Sequence, residues 1–386
     1  MQIRLGVEGE GTVFQRRPQR CSASWLPFSI SSLVFVAGLV CVPGCSDDDP
    51  TEPEPSGSWT EEVLPVELDS TLLVDVASRG SYAVAVGGRN GVGFFEAVAL
   101  ERTAEGWKRL ELPELPGETL LSAVELTETG EPIFVGATID GNGRARPLVV
   151  DARQEPPVVV FEKQGNAFLG AIAVGDGTAM AVGVASGGFA VRSVGGGPWV
   201  EVSLPSDDQR ELGLYDVQYE DGRFLACGFD DGGPPYSVVA TYATGAWTMQ
   251  EVPGTNLDSR CLLEIPDGTL LVGGRRASDS GAADVAFLQG RDPRTGAWIG
   301  LGIPGSPRLA SVQDLQYDSS GSVTAALVPT SAGVRTGGIV RDARVEYELV
   351  GGIHAIAEDE TGKLYAVGYE GTASTHPRPL ILVLEP

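Results

Sequence analysis

Residue types that commonly build catalytic and metal sites are scarce in this chain of 386 residues. It has two histidines, five cysteines and three methionines, and no Cys-x-x-Cys or His-x-x-x-His pair occurs. Because nitrogen and sulfur ligands dominate transition-metal sites, such a site is not expected. A phosphate-binding loop and a Gly-x-Ser-x-Gly nucleophile motif are also missing. The sequence therefore predicts no catalytic residue, no metal and no cofactor.

Positive charge is also limited. The 27 lysine and arginine residues face 52 aspartate and glutamate residues, which gives a formal net charge of −25. Such a surface repels nucleic acid and anionic lipid headgroups and favours solubility. Nucleic acid is therefore excluded as an expected partner.

The chain has one notable apolar run, from Phe28 to Val42, after Arg16, Arg17 and Arg20. It is shorter than the ~20 residues that span a membrane, and it is typical of an export signal. The run ends at Val42-Pro43-Gly44-Cys45, which resembles the lipobox of bacterial lipoproteins. That resemblance implies that residues 1–44 are removed and that Cys45 is lipidated. The alternatives are ordinary signal cleavage nearby or an uncleaved anchor.

The segment after the cysteine lacks residues that form a core. Residues 45–57 contain three consecutive aspartates, two glutamates and three prolines. We expect a disordered, extended tether between the lipid and the folded domain. Ser46 stands where retention in the inner membrane usually requires aspartate, which favours the outer membrane. The lipid would be the only contact with a membrane.

A repeat runs through residues 58–386. Six apolar segments end in glycine at intervals of 45 to 49 residues or twice that distance, and they end at Gly87, Gly136, Gly183, Gly228, Gly273 and Gly368. A seventh segment, Ala325-Ala326-Leu327, keeps the pattern without glycine. Turn sequences such as Gly175-Asp176-Gly177 and Glu220-Asp221-Gly222 precede these segments. Each repeat is therefore predicted to begin with a tight β-hairpin.

Five tryptophans begin a further strand in the repeat, and each of these strands ends in proline, as Trp107 does at Pro113. Proline is tolerated at a sheet edge, so these are predicted to be outer strands. Four strands every ~45 residues, without helical periodicity, indicate a β-propeller. We predict an all-β fold, a seven-bladed β-propeller of four-stranded blades. The N-terminal strand at Trp59 would complete the last blade, which contains Gly368.

The glycine of the second strand and the tryptophan of the fourth resemble the kelch repeat, most closely from Leu271 to Gly274 and from Asp292 to Trp298. The turns at 104–107 and 244–247 resemble degenerate Asp-boxes of sialidase-type propellers. Both resemblances imply architecture over residues 58–386. They imply no activity, because those motifs are structural.

Variable loops on one end of the propeller are the predicted binding surface, because binding residues are concentrated in loops on rigid scaffolds. The expected loops lie at 88–94, 137–146, 229–236, 274–283, 328–337 and 369–377. Their candidate ligand-binding residues are Arg89, Asn90, Asp140, Asn142, Arg144, Asp230, Asp231, Tyr236, Arg275, Arg276, Asp279, Arg335 and His376.

Other polar residues are given structural roles. His354 is expected to be a hydrogen-bonded residue of an inner strand, and residues 140–143 a plain turn rather than a calcium loop. Cys227 and Cys261 are expected to be buried free thiols, with a disulfide as the alternative. The tryptophans are expected to pack between blades.

Three functions remain open. The first is a non-enzymatic, monomeric binding or scaffold propeller at the cell envelope, with a protein or glycan partner. The second is a sialidase-like glycan hydrolase, which would need arginines, a tyrosine and an acid at the channel mouth. Arg89, Arg144, Arg275 and Arg335 are its candidates. The third, a redox propeller, is disfavoured by the scarcity of histidine.

Overall fold

A computed structural model describes most of the chain from residue 58 to the end. The described ranges are 58–90, 95–115, 117–153, 157–163, 165–185, 188–205, 212–230, 236–277, 284–303, 310–329, 336–342, 344–371 and 377–386. They belong to one compact unit, Gly57–Pro386. The predicted export signal and tether, residues 1–57, and the predicted lipidation site Cys45 lie outside these ranges.

Twenty-seven β-strands and one 3-10 turn, Val66–Leu68, make up the regular structure of the described ranges. The first four blades use strands β2 to β17. Blade one contains β2 (Thr71–Arg79), β3 (Tyr82–Asn90), β4 (Phe95–Thr103) and β5 (Gly106–Arg109). Blade two contains β6 (Glu118–Leu126), β7 (Pro132–Ile139), β8 (Ala145–Asp151) and β9 (Val158–Glu162). Blade three contains β10 (Phe168–Gly175), β11 (Thr178–Val184), β12 (Phe189–Val194) and β13 (Val200–Glu201). Blade four contains β14 (Leu212–Glu220), β15 (Arg223–Asp230), β16 (Tyr236–Ala243) and β17 (Ala246–Glu251).

The remaining strands form three further blades. Blade five contains β18 (Leu257–Glu264), β19 (Leu270–Arg276), β20 (Val285–Arg291) and β21 (Trp298–Leu301). Blade six contains β22 (Ala310–Tyr317), β23 (Val323–Pro329), β24 (Thr336–Arg341) and the first half of β25 (Arg344–Glu358). Blade seven contains the second half of β25, then β26 (Leu364–Glu370), β27 (Arg378–Leu384) and the N-terminal strand β1 (Thr60–Glu61).

The N-terminal strand completes blade seven as predicted. Thr60 and Glu61 pair with Val383 and Leu382 on β27 in antiparallel register. The Trp59 side chain packs against the core between blades six and seven, and its Nε1 donates a hydrogen bond to Glu346, 3.0 Å away. This pairing covers the edge of β27, which would otherwise present unpaired backbone groups.

The innermost strands meet in a closed cycle. The neighbours in contact are β2 and β6, β6 and β10, β10 and β14, β14 and β18, β18 and β22, β22 and β25, and finally β25 and β2. Seven hydrophobic clusters lie one at each junction between neighbouring blades, including the junction of blades seven and one. The fold is therefore a β-propeller, and its core consists of the contacts between blades.

The tryptophans of the outer strands pack at these junctions, as predicted. Trp247 packs with residues of blades three and four, Trp199 with blades two and three, and Trp107 with blades one and seven. Cys227 and Cys261 are buried free thiols in the junctions on either side of blade five. That prediction is confirmed, and a disulfide is not present between them.

The repeated glycine has a specific structural cause. In every blade the innermost strand contains a β-bulge, as between Leu73 and Asp75 in blade one. Gly87 lies opposite this bulge, and a Cβ atom there would overlap the carbonyl oxygen of Leu72. The glycine is required because the bulged backbone approaches the second strand.

The bulge also corrects the predicted repeat in blade five. The residue opposite its bulge is Gly274, because Gly274 pairs with Ser259 and its Cβ would overlap the carbonyl oxygen of Asp258. Gly273 is one residue away from that position. In blade six Leu327 occupies the equivalent place, as the sequence pattern predicted.

Candidate ligand-binding face

The two ends of the propeller differ in the turns they carry. The hairpin between the first two strands of each blade ends in a tight turn, and Asp176, Gly177, Asp221 and Gly222 there have positive φ values between 48° and 77°. The opposite end, here called the loop face, carries the connections between second and third strands. The first residues of the innermost strands also lie on the loop face, since Leu257 pairs with Arg276 at the end of β19.

Five predicted binding positions lie outside the described ranges or at the end of one. Asp231, Asp279, Arg335 and His376 lie outside the described ranges, and Asn90 is described only as the last residue of β3. The loop-face connections are also shorter than predicted. β3, β15 and β19 continue to Asn90, Asp230 and Arg276, so several predicted loop residues are strand residues.

Asp140, Asn142 and Arg144 form a turn stabilised by the Asp140 carboxylate. Its Oδ1 accepts hydrogen bonds from the backbone N–H groups of Asn142 and Arg144, at 2.9 and 3.0 Å. Its Oδ2 accepts from Arg146 at 3.3 Å. The backbone hydrogen bond from Arg144 is the largest cause that holds the pKa of Asp140 below its usual value. The Asp140 carboxylate therefore stabilises this turn.

The expectation that Asp230 is an exposed loop residue is wrong. Asp230 is 3% exposed and pairs with Tyr236 across β15 and β16. Tyr236 is half-buried and packs against the core between blades three and four. Because the β-ladder of blade four extends to Asp230 and Tyr236, these two residues belong to the blade and not to a loop.

Arg89 and Arg275 are ion-paired on the loop face. Arg89 lies 3.8 Å from Glu96 on the next strand. The Nε of Arg275 donates to Oδ2 of Asp258 at 2.9 Å, and its Nη1 lies 3.4 Å from Asp284. Arg275 therefore belongs to a network of ion pairs within blade five. Arg276, the next residue, is exposed.

A cluster of residues from blades four and five meets at the loop-face end of the innermost strands, and the sequence did not indicate most of it. Asp258 accepts hydrogen bonds through Oδ2 from Arg260, at 2.7 Å, as well as from Arg275. The Arg260 guanidinium carbon lies 4.0 Å from the centre of the Tyr215 ring. Tyr215 also stacks on Phe229, with the ring centres 5.6 Å apart and the planes inclined by 16°. We call Tyr215, Phe229, Asp258, Arg260 and Arg275 the mouth cluster.

The ionisable side chains of the mouth cluster are shielded from water or paired with one another. Burial is the main cause that raises the pKa of the Tyr215 phenol, so the phenol is protonated at neutral pH. Asp258 bridges two guanidinium groups, while its Oδ1 is buried and has no hydrogen-bond partner among the described residues. A guanidinium held against an aromatic ring keeps its orientation and presents its remaining N–H groups in a fixed plane.

Tyr215 and Arg260 belong to a wider set that we call the bulge ring. It consists of the extra residue of each inner-strand bulge, namely Val74, Ser122, Gly170, Tyr215, Arg260, Gln313 and His354. Each of them is partly exposed, and each follows a buried residue. Each innermost strand contacts the innermost strands of both neighbouring blades. Because the innermost strands of a propeller surround its central channel, we expect the exposed part of these residues to adjoin that channel.

His354 departs from its predicted role. Its Nε2 is buried and has no hydrogen-bond partner in the described part of the chain. Its ring packs against Tyr369, with the ring centres 5.7 Å apart. Burial lowers the pKa of His354 to about 4, so the imidazole is neutral at neutral pH. The expectation of a hydrogen-bonded structural histidine is therefore wrong for this nitrogen.

Three carboxylates join the innermost strands of neighbouring blades just beyond the bulge. Oδ2 of Asp75 accepts from the backbone N–H of Val124 at 2.7 Å, joining blades one and two. Oδ2 of Asp216 accepts from Leu262 at 2.8 Å, joining blades four and five. Oδ2 of Asp314 accepts from Ile356 at 2.7 Å, joining blades six and seven. We call them the bridging aspartates.

Within the described ranges, no cluster of three or more histidine, cysteine, aspartate or glutamate side chains has the geometry to hold a metal ion. The same ranges contain no helix long and apolar enough to cross a membrane.

Comparisons with known proteins identify the fold and not a family. No family model matches the chain, and no curated protein matches it. Among solved structures, YCF48 bound to D1 peptide is similar over 85% of this chain and 95% of its own, with 16% identity and a TM-score of 0.53. A protein of unknown function from Dyadobacter fermentans DSM 18053 is similar over 86% and 99%, with 14% identity and a TM-score of 0.51. The WD40 β-propeller domain of Doa1 is similar over 85% and 97%, with 13% identity and a TM-score of 0.53. At these identities the likeness supports the β-propeller fold alone.

Proposed function

We propose that this chain is a non-enzymatic binding propeller, anchored at the cell envelope, that captures a protein partner on its loop face. The observation that carries the proposal is the mouth cluster, in which Arg260 and Arg275 share one carboxylate oxygen of Asp258 beside the Tyr215 ring. Tyrosine and arginine supply much of the binding energy at protein interfaces, because they combine a large contact area with directional hydrogen bonds.

The protein class of the partner is supported by two further considerations. The acidic charge of the chain disfavours nucleic acid and anionic lipid surfaces. YCF48, one of the propellers of similar fold, was solved with a bound peptide. The envelope location depends on the predicted export signal and on lipidation of Cys45. A glycan is the alternative partner of the same surface.

The second candidate function is a sialidase-like hydrolase. It is favoured by the convergence of Arg260, Arg275, Tyr215 and Asp258 at one end of the channel. The protonation of Tyr215 and the ion pairs of Asp258 disfavour a hydrolase. The Tyr215 phenol is protonated and covered by Arg260, and Asp258 is engaged by two guanidinium groups, so neither is prepared to act as a nucleophile or a general acid.

The proposal is tested by capture from an envelope extract. We expect Arg276→Ala to weaken capture of the partner without changing stability by more than about 0.5 kcal/mol, because Arg276 is exposed. The matched control is Asp267→Ala, an exposed residue of a hairpin turn on the opposite face. Loss of capture in Asp267→Ala and full capture in Arg276→Ala would contradict the choice of face. Turnover of a sialoside by the purified wild-type protein would establish the second candidate.

A further inference from the structure

The bulge ring is chemically divided into two arcs. Blades four to seven contribute Tyr215, Arg260, Gln313 and His354, whereas blades one to three contribute Val74, Ser122 and Gly170. The first arc is continuous and consists of large polar side chains. The second consists of small side chains, which leave room on that side of the axis.

Contacts between blades three, four and five, together with the equivalent ladder position of the bulges in blades six and seven, indicate that the ring residues share one level. A Cβ atom at Gly170 would lie 3.9 Å from the carbonyl oxygen of Tyr215 in the next blade. Tyr215 in turn lies under the Arg260 guanidinium of blade five, 4.0 Å from ring centre to guanidinium carbon. The polar arc is therefore a wall of the channel at a defined depth, with the mouth cluster at one end of it.

Two buried polar atoms next to this wall have no hydrogen-bond partner among the described residues. They are Nε2 of His354 and Oδ1 of Asp258. A carboxylate oxygen accepts only, so Asp258 requires a donor, and a buried polar atom without a partner costs about 1–3 kcal/mol. Both atoms are closed to solvent in this structure, so a molecule in the channel would supply the missing partners once these side chains turn toward it.

The charges near the channel indicate which kind of molecule would bind there. The bridging aspartates Asp75, Asp216 and Asp314 follow the bulges of three blades and would repel an anion whenever they are ionised. Arg260 and Arg275 are already paired with Asp258, so the mouth does not offer a strong excess of positive charge. A neutral ligand that both donates and accepts hydrogen bonds meets these conditions.

We infer that the polar arc binds the backbone amides of an extended peptide segment that enters the channel from the loop face. Its N–H groups would donate to Oδ1 of Asp258, and its carbonyl oxygens would accept from Arg260 and Gln313. His354 forms the far end of the arc. The small arc of Val74, Ser122 and Gly170 would accommodate the peptide side chains. The inference rests on the proposed function and adds the chemistry of the partner and its place in the channel.

The test uses the full chain, purified in detergent, and peptides selected on it from a displayed library of linear dodecapeptides. The chain contains two histidines, so labelling with [13Cε1]histidine gives two ring signals, which His376→Gln assigns. We expect selected peptides to shift the His354 signal. We also expect Gln313→Leu to weaken their binding at least tenfold with an unchanged melting temperature, while Asp267→Ala has no effect on binding.

Other results would overturn the inference about the channel without overturning the proposed function. Peptides that bind but leave the His354 signal unmoved, and that are weakened only by Arg276→Ala, would place recognition outside the channel. A library without binders, together with capture of a folded protein from envelope extract, would also overturn the inference while the proposed function stands. If an oligosaccharide such as chitotriose shifted the His354 signal and no peptide did, the polar arc would be a glycan-binding site and the inference would be wrong. If the library gave no binders and the envelope extract gave no captured protein, the proposed function would be contradicted as well.

Discussion

The Asp314 carboxylate of blade six accepts a hydrogen bond from the backbone N–H of Ile356 in blade seven, 2.7 Å away, and thereby joins two innermost strands. Its second oxygen accepts from the N–H of Leu315 at 2.8 Å. Asp75 and Asp216 make the same kind of bridge at two other junctions. Because each oxygen satisfies a backbone donor next to the channel, these side chains are part of the ring closure.

Replacement of Asp314 by asparagine should destabilise the propeller. Either oxygen of the carboxyl group can accept a hydrogen bond whether or not the group is protonated, whereas an amide nitrogen cannot. One of the two backbone N–H groups would therefore lose its partner, at a cost of about 1–3 kcal/mol. Chemical denaturation at pH 5 measures this loss. An Asp314→Asn variant with wild-type stability would contradict the bridging role.

The same group makes stability depend on pH. Burial is the largest cause that raises the pKa of Asp314, to about 7, and the charge of Asp216 adds to it. The folded state therefore binds a proton more tightly than the unfolded state does. This contribution is fully present below the unfolded pKa, about 4, and is lost as pH rises through about 7.

We expect the wild-type protein to lose part of its stability between pH 5 and pH 8, and Asp314→Asn to lose less over the same range. The control is Asp267→Asn, because the backbone hydrogen bond from Thr269 lowers the pKa of this exposed carboxyl. Its titration lies below this interval, so the slope should not change. Equal slopes in the wild type and Asp314→Asn would show that Asp314 does not titrate as described.

Gly228→Ala should be strongly destabilising. Gly228 lies opposite the bulge of blade four, and an added Cβ would overlap the carbonyl oxygen of Gly213. Because the obstacle is backbone, we expect the free energy of unfolding to fall by about 1–3 kcal/mol or more. Gly300→Ala, in the outer strand β21, is the matched control, since nothing lies within 4 Å of its added Cβ. It should change stability by less than about 1 kcal/mol.

The architecture was predictable from the sequence because its signals recur. The turn, glycine and tryptophan positions repeat in successive blades, and the unpaired strand at Trp59 matched the missing strand of blade seven. The inner-strand bulges were not predictable, since one extra residue leaves the apolar pattern intact. The apolar pattern therefore indicates Gly273 in blade five, whereas the bulge lies opposite Gly274.

The candidate site was predictable only in its location. Arg275 and Arg276 lie on the predicted face, but Tyr215 and Arg260 come from different blades and meet because their bulges are at one level. No spacing in the sequence encodes that contact. The polar sequence after Asp230 predicts a loop there, whereas the β-ladder of blade four extends to this residue.

Deletion of residues 58–65 should make the protein associate. The deletion removes β1 and exposes the edge of β27, whose residues from Pro379 to Leu384 are buried and almost all apolar. An exposed apolar edge is a template for pairing with another chain. Light scattering should show oligomers and calorimetry a lower melting temperature. A monomeric truncation with an unchanged melting temperature would contradict closure by this strand.

Cys45→Ala should release the protein from membranes. Lipidation of Cys45 is proposed as the sole anchor, and a lipoprotein that carries more than one acyl chain is held stably. Fractionation of cells that produce the variant and the wild type measures the effect, with Cys261→Ala as the control for loss of another cysteine. Mass spectrometry that finds an unmodified mature N-terminus elsewhere would contradict the anchor.

Site-specific photocrosslinking in producing cells tests whether a partner is captured on the loop face. A benzophenone amino acid at position 276, on the loop face, should form an adduct with a partner protein. The same amino acid at position 267, in a hairpin turn of the opposite face, should form none. Adducts from position 267 and none from position 276 would show that the partner binds the opposite face.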